Sequence, residues 1–332
     1  MKHIIFISVL IFSVATINAQ EKCDCDYIES GYYQDIYNAD FELLKRNEEE
    51  AYKYLQSAES KCPLKNIITY YESEKYISLL LKRDEHKKAY HYIHFLISEH
   101  GYEIKDFNDL NNFDKLSALP RWDSLYNNLL LSEQNFVSDT ALFLQFKKME
   151  YRDQYYRIKL ANIRQDTDSF NFHEKTRQFR QEYGENILQM VDDSNFNELM
   201  NIIEHRGFPI STNIKLSKYH LGAIYIPLTT MLMHFGTDSL KLQKLETIIL
   251  ENIRKGNLLP DSYGDIIDRK CLIMRMPYIY GIYINTKPEE IYDFEHIDER
   301  RKAIGMPPYD ISKEKNRILL ERYPPPPFPP NK

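Results

Sequence analysis

Leu43-Leu-Lys-Arg-Asn-Glu-Glu-Glu-Ala51-Tyr-Lys-Tyr-Leu55 returns further along the chain as Leu80-Leu-Lys-Arg-Asp-Glu-His-Lys-Lys-Ala89-Tyr-His-Tyr-Ile93. Each copy reads as the end of one helix, a polar turn at Asn47 or Asp84, and the entry into a second helix. Ala51 and Ala89 stand where a small side chain lets two helices pack closely. A segment repeated at this interval is a helix hairpin, which cannot bury its apolar face alone and does so by stacking on the next. The second copy continues as a helix over Glu85–His100, with Ala89, Ile93, Leu96 and Ile97 on one face and Gly101 as its stop. A third unit is expected over Asp106–Leu131, where Leu119-Pro-Arg-Trp122 ends one helix and begins another.

This pattern resembles the tetratricopeptide-type hairpin. The resemblance implies helical repeats over residues 20–135. Tyr32, Tyr33, Tyr52, Tyr54, Tyr70, Tyr71, Tyr90 and Tyr92 are then placed either to line a concave peptide-binding face or to fill the core and rim of the repeats.

The whole composition agrees with helices: 332 residues carry 26 Tyr but only 10 Gly, which favours long helices with bulky contacts over a turn-rich sheet. The chain is therefore expected to be all-α, with a second helical region over 140–310. Acidic residues outnumber basic ones by 49 to 43, a net charge of −6, and this argues against nucleic acid as a partner. Met1-Lys-His, an apolar run over Ile4–Val14 and the small residues ending at Ala19 have the form of a cleaved export signal over 1–19. The mature protein is expected in the periplasm or outside the cell, without a membrane span. In such a compartment Cys62 has a partner available in Cys23 or Cys25, and Cys271 remains as a buried unpaired thiol. His91 and His94 stand one helical turn apart with no third ligand nearby, so no metal site is assigned, and no motif for a cofactor occurs.

Beyond residue 140 the unusual polar residues fall between ordinary helical segments. A long helix starts near Thr140 and carries Asp153, Gln154 and Arg157. A later helix ends at Arg206-Gly207, with Phe208-Pro209 after it. The run Tyr219–His234 is almost wholly apolar and is expected to be the buried central helix, with His234 at its C-terminal end. Leu240–Arg254 is a further amphipathic helix that stops at Gly256. Asp268-Arg269, Tyr280-Gly281, Asp298-Glu-Arg300-Arg301 and Gly305-Met-Pro-Pro308 follow, the last two expected in extended structure. A Pro-rich tail closes the chain over 311–332, and Tyr323–Pro330 within it reads as a polyproline II segment.

These motifs resemble those of a family of exported bacterial proteins known only as a domain of unknown function. The family's Asp-Gln, Gly-Trp-Pro, Gln-His, Asp-Arg, Tyr-Gly-Thr, Arg-Arg and Gly-Leu-Pro-Pro pattern falls on the positions just quoted, with Phe208 in place of Trp, Met233 and Tyr278 in place of Gln, and Ile282-Tyr283 in place of Thr-Gln. The resemblance implies candidate positions and no activity. His234, Asp268, Arg269 and Tyr280 are the candidate catalytic residues. Asp268 would orient His234 or act as a base, Arg269 would hold an anionic group, and Tyr280 would present its hydroxyl. Asp153, Gln154, Arg157, Arg300 and Arg301 are candidate binding residues. The expected function is a binding or interaction module for a protein, a peptide or a small anionic ligand. The alternative is an enzyme of hydrolase or lyase type built on His234, Asp268 and Arg269.

Overall fold

The structure is a computed structural model that describes residues 25–65, 72–108, 110, 112–165, 186–210 and 215–323. The expected export signal, Cys23, Tyr70, Tyr71, the stretch 166–185 and the proline run from 324 lie outside the described residues. Among the described residues the fold is all-α, without a strand. An isolated parallel bridge joins Tyr278 to Ile291. No helix among these residues is long and apolar enough to cross a membrane.

The two related segments form successive helix hairpins: α1 (Tyr32–Leu44) with α2 (Glu48–Lys61), and α3 (Glu72–Lys82) with α4 (His86–His100). Both turns use one residue in the left-handed region, Arg46 at φ 63° and Asp84 at φ 57°. The side chain of Asn47 then caps α2 by accepting from the Glu50 amide. Ala51 and Ala89 are fully buried, and Leu55 and Ile93 pack beside them. Arg83 reaches Glu49, and Lys82 reaches Glu48, so the second turn is tied to the start of α2. Gly101 ends α4 at φ 59°, as expected of a left-handed stop.

The third unit differs from the expectation. Its first helix is replaced by two short 3-10 turns, Ile104–Phe107 and Phe113–Ala118, and only α5 (Trp122–Asn135) is a full helix. Residues 106–114 contain three Asp and three Asn, whose side chains compete for backbone hydrogen bonds and so oppose a continuous α-helix.

After residues 136–139, α6 (Thr140–Gln165) begins where the sequence placed it. It packs against α7 (Asn186–Arg206) and α8 (Lys218–Phe235), and α8 packs in turn on α10 (Pro260–Met274). Between them in sequence lies α9 (Ser239–Arg254), capped by the Asp238 side chain. Arg300 and Arg301, expected in extended structure, sit instead on the short helix α11 (Ile297–Ala303), and α12 (Tyr309–Arg322) closes the described chain. The apolar α8 is buried through Ile224, Tyr225, Leu228, Met231, Leu232 and Phe235, whereas Ile226 is exposed.

Buried residues from Tyr27 to Met306 form one continuous cluster that includes both halves of the sequence. Helix α1 makes the join. The Tyr33 hydroxyl donates to the carbonyls of Ile253 (2.7 Å) and Leu258 (3.0 Å), and Gln34 donates to Met306 O (2.7 Å). Ahead of α1, a disulfide links Cys25 to Cys62 at the end of α2. Among the described residues Cys271 is a buried free thiol, its pKa raised by burial and by the nearby charge of Asp268.

Candidate functional site

Helices α6, α7 and α8 meet at a polar centre inside an otherwise apolar contact. His234, in the last turn of α8, directs Nδ1 at the Asp153 carboxylate of α6 (2.9 Å). Arg157, one turn further along α6, donates from Nε to the same oxygen of Asp153 (3.2 Å) and from Nη2 to Asp192 of α7 (2.5 Å). Gln154 donates to the second Asp153 oxygen (2.6 Å). The Asp153 side chain is 1% exposed and that of His234 18%. Burial pushes the Asp153 carboxyl up, but the hydrogen bond and charge of His234 together with Arg157 outweigh it and hold the pKa below its usual 3.8. With Asp153 ionised and able only to accept, His234 donates to it through Nδ1–H.

This arrangement orients an imidazole by a buried carboxylate, and in the neutral form of the ring Nε2 is the acceptor nitrogen. Such an imidazole can receive a proton or a hydrogen bond, or ligate a cation. Ligand atoms of Asp153, Asp192 and His234 lie within 4.8 Å of one another, a spacing that could hold a metal ion. The Arg157 guanidinium already bridges the two carboxylates, so a metal would have to displace an existing cation.

The other candidates gather elsewhere. Asp268 of α10 is fully buried, and its carboxylate accepts from the amides of Ile279 (2.8 Å), Tyr280 (3.0 Å) and Ile282 (2.9 Å). Both of its oxygens are therefore spent on fixing the segment after α10. Arg301 is 1% exposed and donates to Pro307 O (2.7 Å), Tyr280 O (2.6 Å) and Ser312 Oγ (2.5 Å). Arg300 donates to the carbonyls of Ile279 (3.2 Å), Asp293 (3.0 Å) and Tyr292. Gly281, between these groups, has φ 62°, and a Cβ there would lie 2.8 Å from Ile291 and 2.9 Å from Tyr309. The Tyr280 ring is buried edge-to-face against Tyr263, and burial raises its hydroxyl pKa to about 12. Arg269 is exposed.

The motif residues thus divide into two groups. Asp153, Gln154, Arg157 and His234 come together, whereas Asp268, Tyr280, Arg300 and Arg301 form a knot of backbone-directed bonds. The expected partner of His234 was Asp268, and the observed one is Asp153, 81 residues earlier. Sequence reasoning missed Asp192, for which an Asp-Asp pair in mid-helix offers no signal. It also missed Asp265. Burial and the neighbouring Asp261 and Asp268 push that carboxyl up to about 7.

Among the described residues, most of the repeat tyrosines are core. Tyr32, Tyr33, Tyr52 and Tyr92 are buried, and the hydroxyls of Tyr76 (2.9 Å) and Tyr92 (2.6 Å) both donate to Glu59. His94 Nε2 lies 3.1 Å from Ser132 Oγ, which ties α4 to α5.

Helix α6 has a further property. Its inner face buries Leu142, Phe146, Met149 and Asp153, while Leu144, Tyr151, Tyr155 and Ile158 are 45–67% exposed. Spacings of seven, four and three residues put these four on one side, opposite the buried face.

The fold and site define an all-helical protein with an ionised polar centre between three helices and an outward apolar helix face. Compared with protein-family models, with curated proteins and with solved structures, the chain matches none.

Proposed function

We propose that the protein is an exported interaction module whose outer α6 face takes the apolar side of an acidic partner helix. The observation that carries this reading is the line of exposed side chains Leu144, Tyr151, Tyr155 and Ile158. Such a seam costs solvation when bare and suits a helix laid alongside it. Lys147, Lys148, Arg152 and Lys159 flank the line by helical geometry; Lys147 already pairs with Glu150 and Arg152 with Glu198, and the excess of cations along the rim favours acidic residues on the partner. The export signal and the resemblance of the two halves to hairpin repeats and to the uncharacterised exported family are part of the same proposal.

A synthetic acidic amphipathic helix with a fluorescent label tests it, beside a basic helix of equal apolarity and anionic lipid vesicles. The acidic helix is expected to bind, with loss of at least tenfold in affinity for the double variant Tyr151→Glu, Ile158→Glu. Equal binding of both helices, binding to vesicles alone, or self-association through this face would each overturn it.

A second reading is favoured by one observation, the His234–Asp153 pair. Here the His234 imidazole acts on a bound small molecule as a general base, with Asp153 in the orienting role first assigned to Asp268. A metabolite screen by thermal shift on wild type and His234→Gln tests it. Stabilisation seen with wild type and absent from a folded His234→Gln supports the reading, and identical responses dismiss it.

A further inference from the structure

Helix α10 ends in an uncovered apolar tip. The stretch Arg269-Lys-Cys-Leu-Ile-Met-Arg-Met276 runs through the last turn, which closes at Met274, and just past it. Cys271 is buried there, whereas Leu272, Ile273, Met274 and Met276 are each 43–52% exposed. Successive helix residues point about 100° apart, so Leu272, Ile273 and Met274 together face about 200° of the circumference. A partner helix laid alongside covers a stripe of roughly 100°, which suits the aligned side chains of α6 but would leave part of this tip in water. A flat apolar layer met end-on covers all of it.

The cations stand where such a layer carries its headgroups. Arg269 and Lys270 precede the apolar residues by about 3–8 Å of helix rise, close to the ~5–8 Å depth of headgroups on each side of a bilayer. Arg275 follows at the helix stop with φ 56°, in the left-handed backbone that favours glycine. An arginine there keeps a charge at the tip at a conformational cost, and its long side chain can reach back to headgroup level. Among the described residues none of these three cations is in an ion pair, and no acidic residue lies between Arg269 and Met276 in sequence. The last carbonyls of the helix are also engaged, Cys271 O by the Met276 amide (2.9 Å) and Leu272 O by that of Arg275 (3.3 Å).

Opposing charge comes from Glu289 and Glu290. The Glu290 carbonyl accepts from the Tyr278 amide (2.9 Å), and its carboxylate accepts from the Lys287 amide (2.8 Å). Against Arg269, Lys270 and Arg275 they leave the cations in excess. Tyr292, 58% exposed, donates its amide to Tyr278 O (2.8 Å) and so adds to the same side a ring that favours the boundary between lipid and water.

From this tip we infer a peripheral docking site for an anionic lipid surface. Leu272, Ile273, Met274 and Met276 enter the acyl boundary, and Arg269, Lys270 and Arg275 meet the headgroup phosphates. The helix dips into the layer without crossing it.

Flotation of the full chain with vesicles tests the assignment, using phosphatidylcholine alone and phosphatidylcholine mixed with an equal part of phosphatidylglycerol. The mixed vesicles are expected to bind more than about tenfold more tightly than the neutral ones, and the difference should shrink as salt is raised. Ile273→Asp with Met274→Asp, both at exposed positions, is expected to weaken that binding by about tenfold or more. Arg275→Gly separates the site from the fold: glycine suits the left-handed backbone and should raise the thermal midpoint, yet binding to mixed vesicles should fall about fivefold. Leu240→Asp, at another exposed apolar position on α9, is expected to bind as wild type does. Equal binding to both vesicles, binding to neither, wild-type binding by the folded Ile273→Asp, Met274→Asp chain, or an equal loss with Leu240→Asp would each overturn the assignment. So would a dimer in sedimentation that the double variant turns into monomers, since a second copy would then cover the tip.

Discussion

Asp153 keeps its charge in a setting almost closed to water because His234, Arg157 and Gln154 all donate to it. Asp153→Asn removes the ion that Arg157 and His234 were arranged around and is expected to cost about 2–3 kcal/mol, read as a shift in urea midpoint. The pH dependence has a definite sign. The folded pKa lies below the usual 3.8, so the stabilisation is complete above about 3.8 and disappears as the pH falls through the lower folded value. Asp265 has the opposite sign. Its carboxyl is raised to about 7, so the folded state holds the proton more tightly and stability falls as the pH rises from about 3.8 to about 7. Asp265→Asn is expected to flatten that window and to be more stable than wild type by about 2 kcal/mol near pH 8. Urea midpoints for both proteins near pH 5 and pH 8 check it. Neither behaviour was legible in the chain: Asp153 was found through a motif, but its partner depends on which helices touch, and Asp265 is ordinary in sequence.

The segment after α10 shows why an unusual polar motif need not be a reactive one. Asp268 fixes three amides, Arg300 and Arg301 hold carbonyls of the same segment, and Gly281 provides the backbone conformation between them. Asp268→Ala leaves three buried or half-buried N–H groups without their acceptor and is expected to destabilise by about 3 kcal/mol or more. Gly281→Ala adds left-handed strain to contacts under 3 Å and is expected to cost about 2 kcal/mol. In denaturant titrations both variants should lose stability, whereas the affinity of the α6 face for an acidic helix should not change. An affinity loss in a fully folded Asp268→Ala would give that residue a binding role in place of the structural one. Helix positions were far easier to read than these contacts. The 3.6-residue period, Gly101 and the turns at Asn47 and Asp84 are local signals, whereas the direction of a side chain in a loop after α10 is decided by elements up to 30 residues away. The missing helix in the third hairpin was the local exception, since its Asn and Asp content is itself visible.

Helix α1 belongs by sequence to the hairpins and by contact to the whole molecule. Tyr33, Gln34 and Tyr37 bond to residues around 253–261 and 305–306, and Lys315 of α12 reaches back to Asp40. The Cys25–Cys62 bridge closes a separation of 37 residues around this helix. On loop-closure grounds such a bridge stabilises by about 3–4 kcal/mol, mainly by limiting the unfolded chain. Because α1 is shared, that stabilisation should extend to the C-terminal half instead of staying in the first hairpins. Reduction, or the Cys25→Ser, Cys62→Ser pair, is therefore expected to lower the midpoint of one cooperative calorimetric transition by several degrees. A scan that resolves two transitions, with only the lower one moved by reduction, would show that the shared core does not couple the halves, and α1 would then be a local clasp.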